Sequence, residues 1–332
     1  MSPFQAIFVP DHYKHAVSDD AWLEAMLSFE RALAAAGARA GAVPQAAADE
    51  IGERCGPELC TAEDLAEDGR LVGNPAEPLV RALTQAVSSE TSAWVHWGAT
   101  SQDVVDTAAM LVASRALDLL LADLGFVAGM LAGLARDYRS TPIAGRTLLQ
   151  HAVPTTFGAK AAGWLTATMA ASERLLEIRH GRLAVQLGGA AGTLGPLGEL
   201  GPRIVELLAE ELDLAVPVLP WHTDRSRLTE LAGALAVTVG VAEKIGLDIA
   251  LLAQTEVAEV AESDGGGSSA MPQKRNPVGS TIARACARVV RGNVNVLLEA
   301  AAHEHERAAG AWQAEWGALS TALAHAGGAL EG

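Results

Sequence analysis

Trp22, Met26, Phe29 and Leu33 recur at helical spacing behind a cap, Ser18-Asp19-Asp20, and the pattern runs until Gly37 and Gly41 end it. The spacing predicts a first helix over that segment. Pro44 can open a second, shorter helix toward Ile51; "CGPELCTAEDLAEDGRLVGNPAEP" then breaks the periodicity with Gly and Pro, and Leu79 to Val87 restores it. Residues 1–97 therefore read as an N-terminal helical domain. From Asp103 to about Ser140 an Ala/Leu-rich stretch runs without proline, which predicts a helix of about 55 Å if it is continuous. Further long stretches run from about Thr155 to Leu187, from Asp224 to Glu262, and from Val278 toward the end, separated by Gly/Pro-containing loops. No convincing strand alternation or internal repeat emerges. The expected fold class is all-α, with residues 98–332 forming a central long-helix bundle.

These helices carry Ala, Val and Leu on more than one face, as in "LAGALAVTVGVAEKIGLDIALLAQ", and a helix apolar around most of its circumference must be buried on most sides. A lone chain of this length cannot cover them. Assembly with other copies into a larger bundle is the simplest reading. Composition narrows the classes: half of the residues are hydrophobic, so a substantial core is available. The net charge of −16 argues against nonspecific binding to nucleic acid or to an anionic membrane surface. Three cysteines suit a reducing compartment, and the Cys55/Cys60 pair lacks a second Cys or His pair that would make a metal site. No secretory signal is evident at the start. The apolar stretches are broken by charged residues before reaching roughly 18 positions, so no membrane span is expected, and the expected location is the cytoplasm.

Candidate chemistry lies where polar groups interrupt the apolar pattern, and there are three such islands. In "WVHWGATSQDVVDTA", Trp94 to Ala108, His96, Thr100, Ser101 and Gln102 crowd a helix start, where hydroxyls and exposed N–H groups favour an anion. An ordinary capped helix fits this segment taken alone. In "AGRTLLQHAVPTTFG", Ala144 to Gly158, Arg146 can grip a carboxylate through two parallel hydrogen bonds, while Gln150 and His151 offer hydrogen bonding and proton transfer. The third, "SDGGGSSAMPQKRNP" from Ser263 to Pro277, opens like a linker but closes on Lys274, Arg275 and Asn276. Positive charge there, in so acidic a chain, attracts a polyanion. A serine in such a loop becomes a plausible base only if cations and loop N–H groups stabilise its alkoxide, and the glycines then read as hinges of a lid.

Taken together, "GATSQD", "GRTLLQHA" and "GSSAMPQKRNP", in that order along the chain, resemble the conserved segments of the fumarase/aspartase superfamily, and the likeness covers nearly the whole length. The resemblance implies a homotetramer with a central helical bundle, each active site drawing one island from each of three subunits. It implies a small polycarboxylate substrate, elimination beta to a carboxylate through an aci-carboxylate intermediate, and no metal or organic cofactor. Ser268 then stands at the position of the base, with Lys274 and Asn276 at substrate-binding positions. His151 is assigned as a second acid/base or carboxylate-orienting group. Arg146, Thr100, Ser101 and Gln102 are expected to bind carboxylates, and His96 is a further candidate.

Within the superfamily, "GNPAEPLV", "RTLLQHAVPTTFGAK" and "HEHERAAGAWQAEW" resemble the branch that closes a lactone on a muconate. Thr147-Leu148, in place of the Thr-His pair of adenylosuccinate and argininosuccinate lyases, points the same way. The alternative is a C–N or C–O lyase acting on a substituted succinate; a noncatalytic helical scaffold is the remaining reading. Family chains usually continue into a further small helical domain, whereas this sequence stops at Gly332.

Overall fold

A computed structural model describes residues 3–263, 266–267 and 270–332. Short helices α1 (Pro3–Ala6) and α2 (Asp11–Ala16) lead into α3 (Asp19–Arg39), where Ser18 Oγ accepts the Ala21 N–H at 3.1 Å as a cap should. Pro44 precedes α4 (Gln45–Arg54). The Gly/Pro-broken segment that followed in the sequence nevertheless contains a helix, α5 (Ala62–Val72), before α6 (Ala76–Ala86). A capping box starts it: Thr61 Oγ1 accepts the Asp64 N–H at 3.2 Å, and the Asp64 carboxylate accepts the Thr61 N–H at 3.0 Å.

The predicted long helix is continuous as α7 (Ser101–Asp137), about 55 Å from end to end. Its first half is core: Val104, Ala108, Met110, Val112, Leu117 and Leu120 are fully buried or nearly so. They belong to one apolar cluster that also holds Phe29 and Leu33 of α3 and Leu79 of α6, and that continues into the later helices. Full burial of each Leu or Phe contributes roughly 1.5–3 kcal/mol, so this crossing region dominates the stability of the chain. The second half of α7 differs, with Phe126 70% and Met130 53% exposed.

One 18-residue window of α7 is long and apolar enough to cross a membrane by length and composition, contrary to the expectation from the sequence, although only 22% of that window is buried. The helix is anchored within the protein all the same. Tyr13 donates to Asp123 at 2.6 Å, and Arg179 of α8 (Phe157–Gly181) donates to Asp118 at 2.8 Å.

The all-α expectation also needs one correction. Between α7 and α8 lies an antiparallel hairpin, β1 (Pro142–Thr147) and β2 (Gln150–Thr156). Its two-residue turn is Leu148-Leu149, and both have positive φ, 50° and 62°. Such turns normally announce themselves with Asn-Gly or Asp-Gly. Two leucines hide the signal, at a cost of roughly 1–2 kcal/mol each for the left-handed backbone.

Beyond α9 (Gly201–Leu212), helix α10 (Ser226–Leu252) stops ten residues before the predicted end, because the chain turns back and the Glu259 N–H caps the Leu252 carbonyl at 3.0 Å. The predicted fourth stretch divides into α11 (Val278–Glu299) and α12 (Ala311–Glu331), which pack against each other and against α10. Gly310, with φ 121°, sits at the start of α12.

Candidate active site

At the N-terminal end of α7 the first island is held by a buried polar network. Asp103 is fully buried and accepts from the N–H groups of Thr100 (2.9 Å), Gly188 and Gly189 (both 3.0 Å), while His222 Nε2 lies 2.7 Å from its Oδ1. Those four partners satisfy both carboxylate oxygens. Gly188 is required at that contact, since a Cβ would lie 2.7 Å from Pro220 Cβ and 2.8 Å from His222 Cε1. One turn on, Asp106 receives a bidentate pair from Arg225 (2.8 and 2.9 Å), the Trp312 indole N–H (3.0 Å) and the Gln102 amide (3.0 Å). Arg225, itself 2% exposed, also grips Glu315 at 3.0 and 2.6 Å and stacks over Trp221. Burial works against its charge, but Asp106 and Glu315 outweigh that and hold the guanidinium protonated.

This network changes the reading of two expected site residues. Gln102, expected to bind substrate, is completely buried; its amide donates to Asp106 and, at 2.8 Å, to the His222 carbonyl. It braces the helix start from inside. His96 has a left-handed backbone, φ 55°, and its Nδ1 lies 2.6 Å from Glu30 Oε1. Burial alone would push the imidazole down, yet the charge and hydrogen bond of Glu30 prevail and raise it. Thr100 and Ser101 remain partly accessible at the mouth of this rigid base.

The hairpin that carries the second island lies just beyond the other end of α7, and the base of the third, Glu262 and Ser280, lines a cavity with Leu124 and Val127 in that helix's second half. Arg146 and His151 are cross-strand partners in the hairpin, so their side chains share one face, as chemistry on a common substrate requires. Arg146 donates to both oxygens of Glu259 at 2.8 Å. That ion pair ties the hairpin to the segment leading into the glycine-rich loop of the third island, the signature loop. The carboxyl of Glu259 is held below the usual range by this hydrogen bond and by the positive charge around it.

The signature loop is pinned at its base. Gly266 and Asn276 exchange backbone hydrogen bonds at 3.0 and 2.9 Å, and Glu262 caps α11 by accepting from Gly279 N–H (3.0 Å), Ser280 N–H (2.9 Å) and the Ser280 hydroxyl (2.6 Å). At Gly266 the pairing with Asn276 fixes the backbone, and a Cβ there would meet the Val278 side chain. Lys274 is exposed, with its N–H on the Met271 carbonyl at 3.0 Å, and the Asn276 amide reaches the Gly267 carbonyl at 3.4 Å. Ser268, the expected base, lies outside the described residues.

One chain therefore brings Arg146 and His151 together and joins them through Glu259 to the base of the loop. It cannot bring Thr100 and Ser101 to them, because an unbroken helix of about 55 Å intervenes. Sequence reasoning missed the partners of the first island: the Gly188-Gly189 pair, "WHTDR" from Trp221 to Arg225, and Glu315. A cluster of Trp, His and Arg just ahead of α10 was the available signal. It escaped notice because its partners lie some 90 to 120 positions away.

The described backbone matches solved structures across most of its length. It superposes on the 3-carboxy-cis,cis-muconate lactonizing enzyme of Pseudomonas putida with a TM-score of 0.93 and 43% identity, covering 99% of this chain and 74% of that one. Residues 10–292 match the model of a family described as lyase, and the chain belongs to that family, the fumarase/aspartase superfamily of enzymes. Among curated relatives it is 44% identical to the 3-carboxy-cis,cis-muconate cycloisomerase of Bradyrhizobium diazoefficiens, over 99% of this chain and 75% of that protein. It is 46% identical to the nitrosuccinate lyase of Streptomyces davaonensis, over 95% of this chain and 69% of that one.

Proposed function

We propose that the chain is a 3-carboxy-cis,cis-muconate cycloisomerase whose active sites are completed by neighbouring copies in a homotetramer. The observation that carries the shared-site reading is the separation of the first island from the hairpin by the full length of α7, while the hairpin end leaves Leu148, Leu149 and Val153 bare. A second copy docked there would cover apolar surface and deliver a Thr100–Ser101 turn to Arg146 and His151. The exposed face of α7 is the kind of surface such a bundle buries, which favours a place in the cytoplasm over one in a membrane.

In this reading one substrate carboxylate adds to a double bond and the adjacent alpha carbon gains a proton. Run backward, the step is a beta-elimination. Ser268 handles the alpha-carbon proton, and His151 acts as a second acid/base or orients a carboxylate. The aci-carboxylate charge needs fixed donors in a desolvated site, supplied by Thr100, Ser101, Arg146, Lys274 and Asn276. Gln102 serves by bracing the turn that presents the first two. No metal or organic cofactor is needed for these steps.

A second reading, favoured by the similarity to the nitrosuccinate lyase, applies the same groups to a substituted succinate and expels a nitrogen leaving group. Incubation with 3-carboxy-cis,cis-muconate should bleach its diene absorbance, and Ser268→Ala should slow this by about 10²–10⁴-fold. Turnover of nitrosuccinate with no loss of diene would overturn the cycloisomerase reading. Turnover of neither by folded, tetrameric protein would leave the scaffold.

A further inference from the structure

Arg146 carries five N–H donors. Glu259 takes one from each terminal nitrogen in an end-on fork, and a second proton of Nη1 points to the Ala144 carbonyl at 3.3 Å. Among the described residues, the donors left over are Nε–H and the outer Nη2–H, which lie on one side of the planar group and form a second complete fork for a carboxylate. The orientation of that free fork is set by Glu259, because a guanidinium plane clamped at two points cannot rotate about its own stem. Glu259 is in turn fixed by its own backbone, whose N–H caps the Leu252 carbonyl at the end of α10.

From this geometry we infer that Glu259 is a positioning residue: it clamps Arg146 so that the Nε/Nη2 edge is presented to a substrate carboxylate beside His151. The inference rests on the proposed reading of Arg146 as a carboxylate binder. Clamping has an electrostatic consequence. The pair is close to neutral, so the long-range attraction of the polyanion falls to Lys274 and Arg275, and Arg146 contributes direction more than charge. Glu259 also spans the hairpin and the segment entering the signature loop, which sets the distance between His151 and the loop base.

Kinetics of Glu259→Ala, Glu259→Gln, Arg146→Ala and the double variant Arg146→Ala/Glu259→Ala test this, using whichever of the two substrates the chain turns over. Glu259→Ala should lower kcat/KM by about 10- to 100-fold, chiefly through KM, with only a small fall in melting temperature. Glu259→Gln, whose amide oxygen still accepts one N–H, should recover part of that loss and stands in should the alanine variant fail to fold. The double variant should be no worse than Arg146→Ala, since a clamp has nothing to position once the guanidinium is gone. An impaired Arg146→Ala beside a Glu259→Ala that equals or exceeds wild type would overturn the inference and make Glu259 a competitor for the arginine. A fully active Arg146→Ala would instead bring down the reading of Arg146 itself, a result distinguishable from the first.

Discussion

The two ends of α7 solve opposite problems. At the N-terminal end the carboxylates of Asp103 and Asp106 are buried, and each is surrounded by donors, most of them from distant parts of the chain, so the Thr100–Ser101 turn rests on a densely hydrogen-bonded base. At the other end Arg146 and His151 sit on an exposed two-stranded hairpin whose anchor to the next segment is the contact with Glu259. The first arrangement spends polar groups on order; the second keeps them available. Fixed donors need no reorganisation when charge develops beside them, and cationic groups on an exposed element can be completed by another surface.

The contrast is broken most severely at Arg225. Arg225→Ala leaves Asp106 and Glu315 buried without their cation and should destabilise the fold by about 3–5 kcal/mol in urea or guanidinium unfolding. Arg146→Ala, at the exposed end, should stay within about 0.5 kcal/mol of wild type while activity falls. Equal effects of the two on stability would erase the distinction.

A smaller effect is expected at Asp103. Asp103→Ala strips the acceptor from the N–H groups of Thr100, Gly188 and Gly189 and should cost about 1–3 kcal/mol. Hydrogen exchange at those amides should rise, while the hairpin amides should be unaffected.

The gentlest probe is pH. His96 is raised by Glu30 against the opposing pull of burial, so its pair contributes stability that is full below the ordinary histidine value of about 6.5 and is lost as pH rises through the raised one. Wild type should therefore lose denaturation midpoint relative to His96→Gln as pH rises through that window. The pair of Arg146 and Glu259 runs the other way, because a depressed carboxyl contributes above about 4.3 and loses its contribution as pH falls through its folded value. A midpoint difference between wild type and His96→Gln that does not change with pH would remove His96 from the rigid end.

Most of the helices could be read directly. Ser18, Pro44 and the proline-free run from Asp103 are local signals, and a helix satisfies its own backbone within four residues, so its start, length and apolar face are written into neighbouring positions. The hairpin could not be read, because two leucines occupy a turn that ordinarily requires glycine or asparagine, and their left-handed backbone is tolerated only in place. The end of α10 was misplaced for a related reason: Glu259 terminates it by folding back on Leu252.

The three polar islands and their residue types were determined by the sequence itself, since capping groups, a bidentate arginine and a glycine-rich basic loop each carry their chemistry in adjacent positions. What only the tertiary structure decided is which of those groups are free to act. Gln102 and Thr100 are two positions apart, yet one is sealed among Asp106 and His222 and the other is partly exposed. Arg146 finds its clamp 113 positions away, at Glu259. Burial and partnership depend on contacts between segments that the chain brings together only by folding, and no local pattern records them.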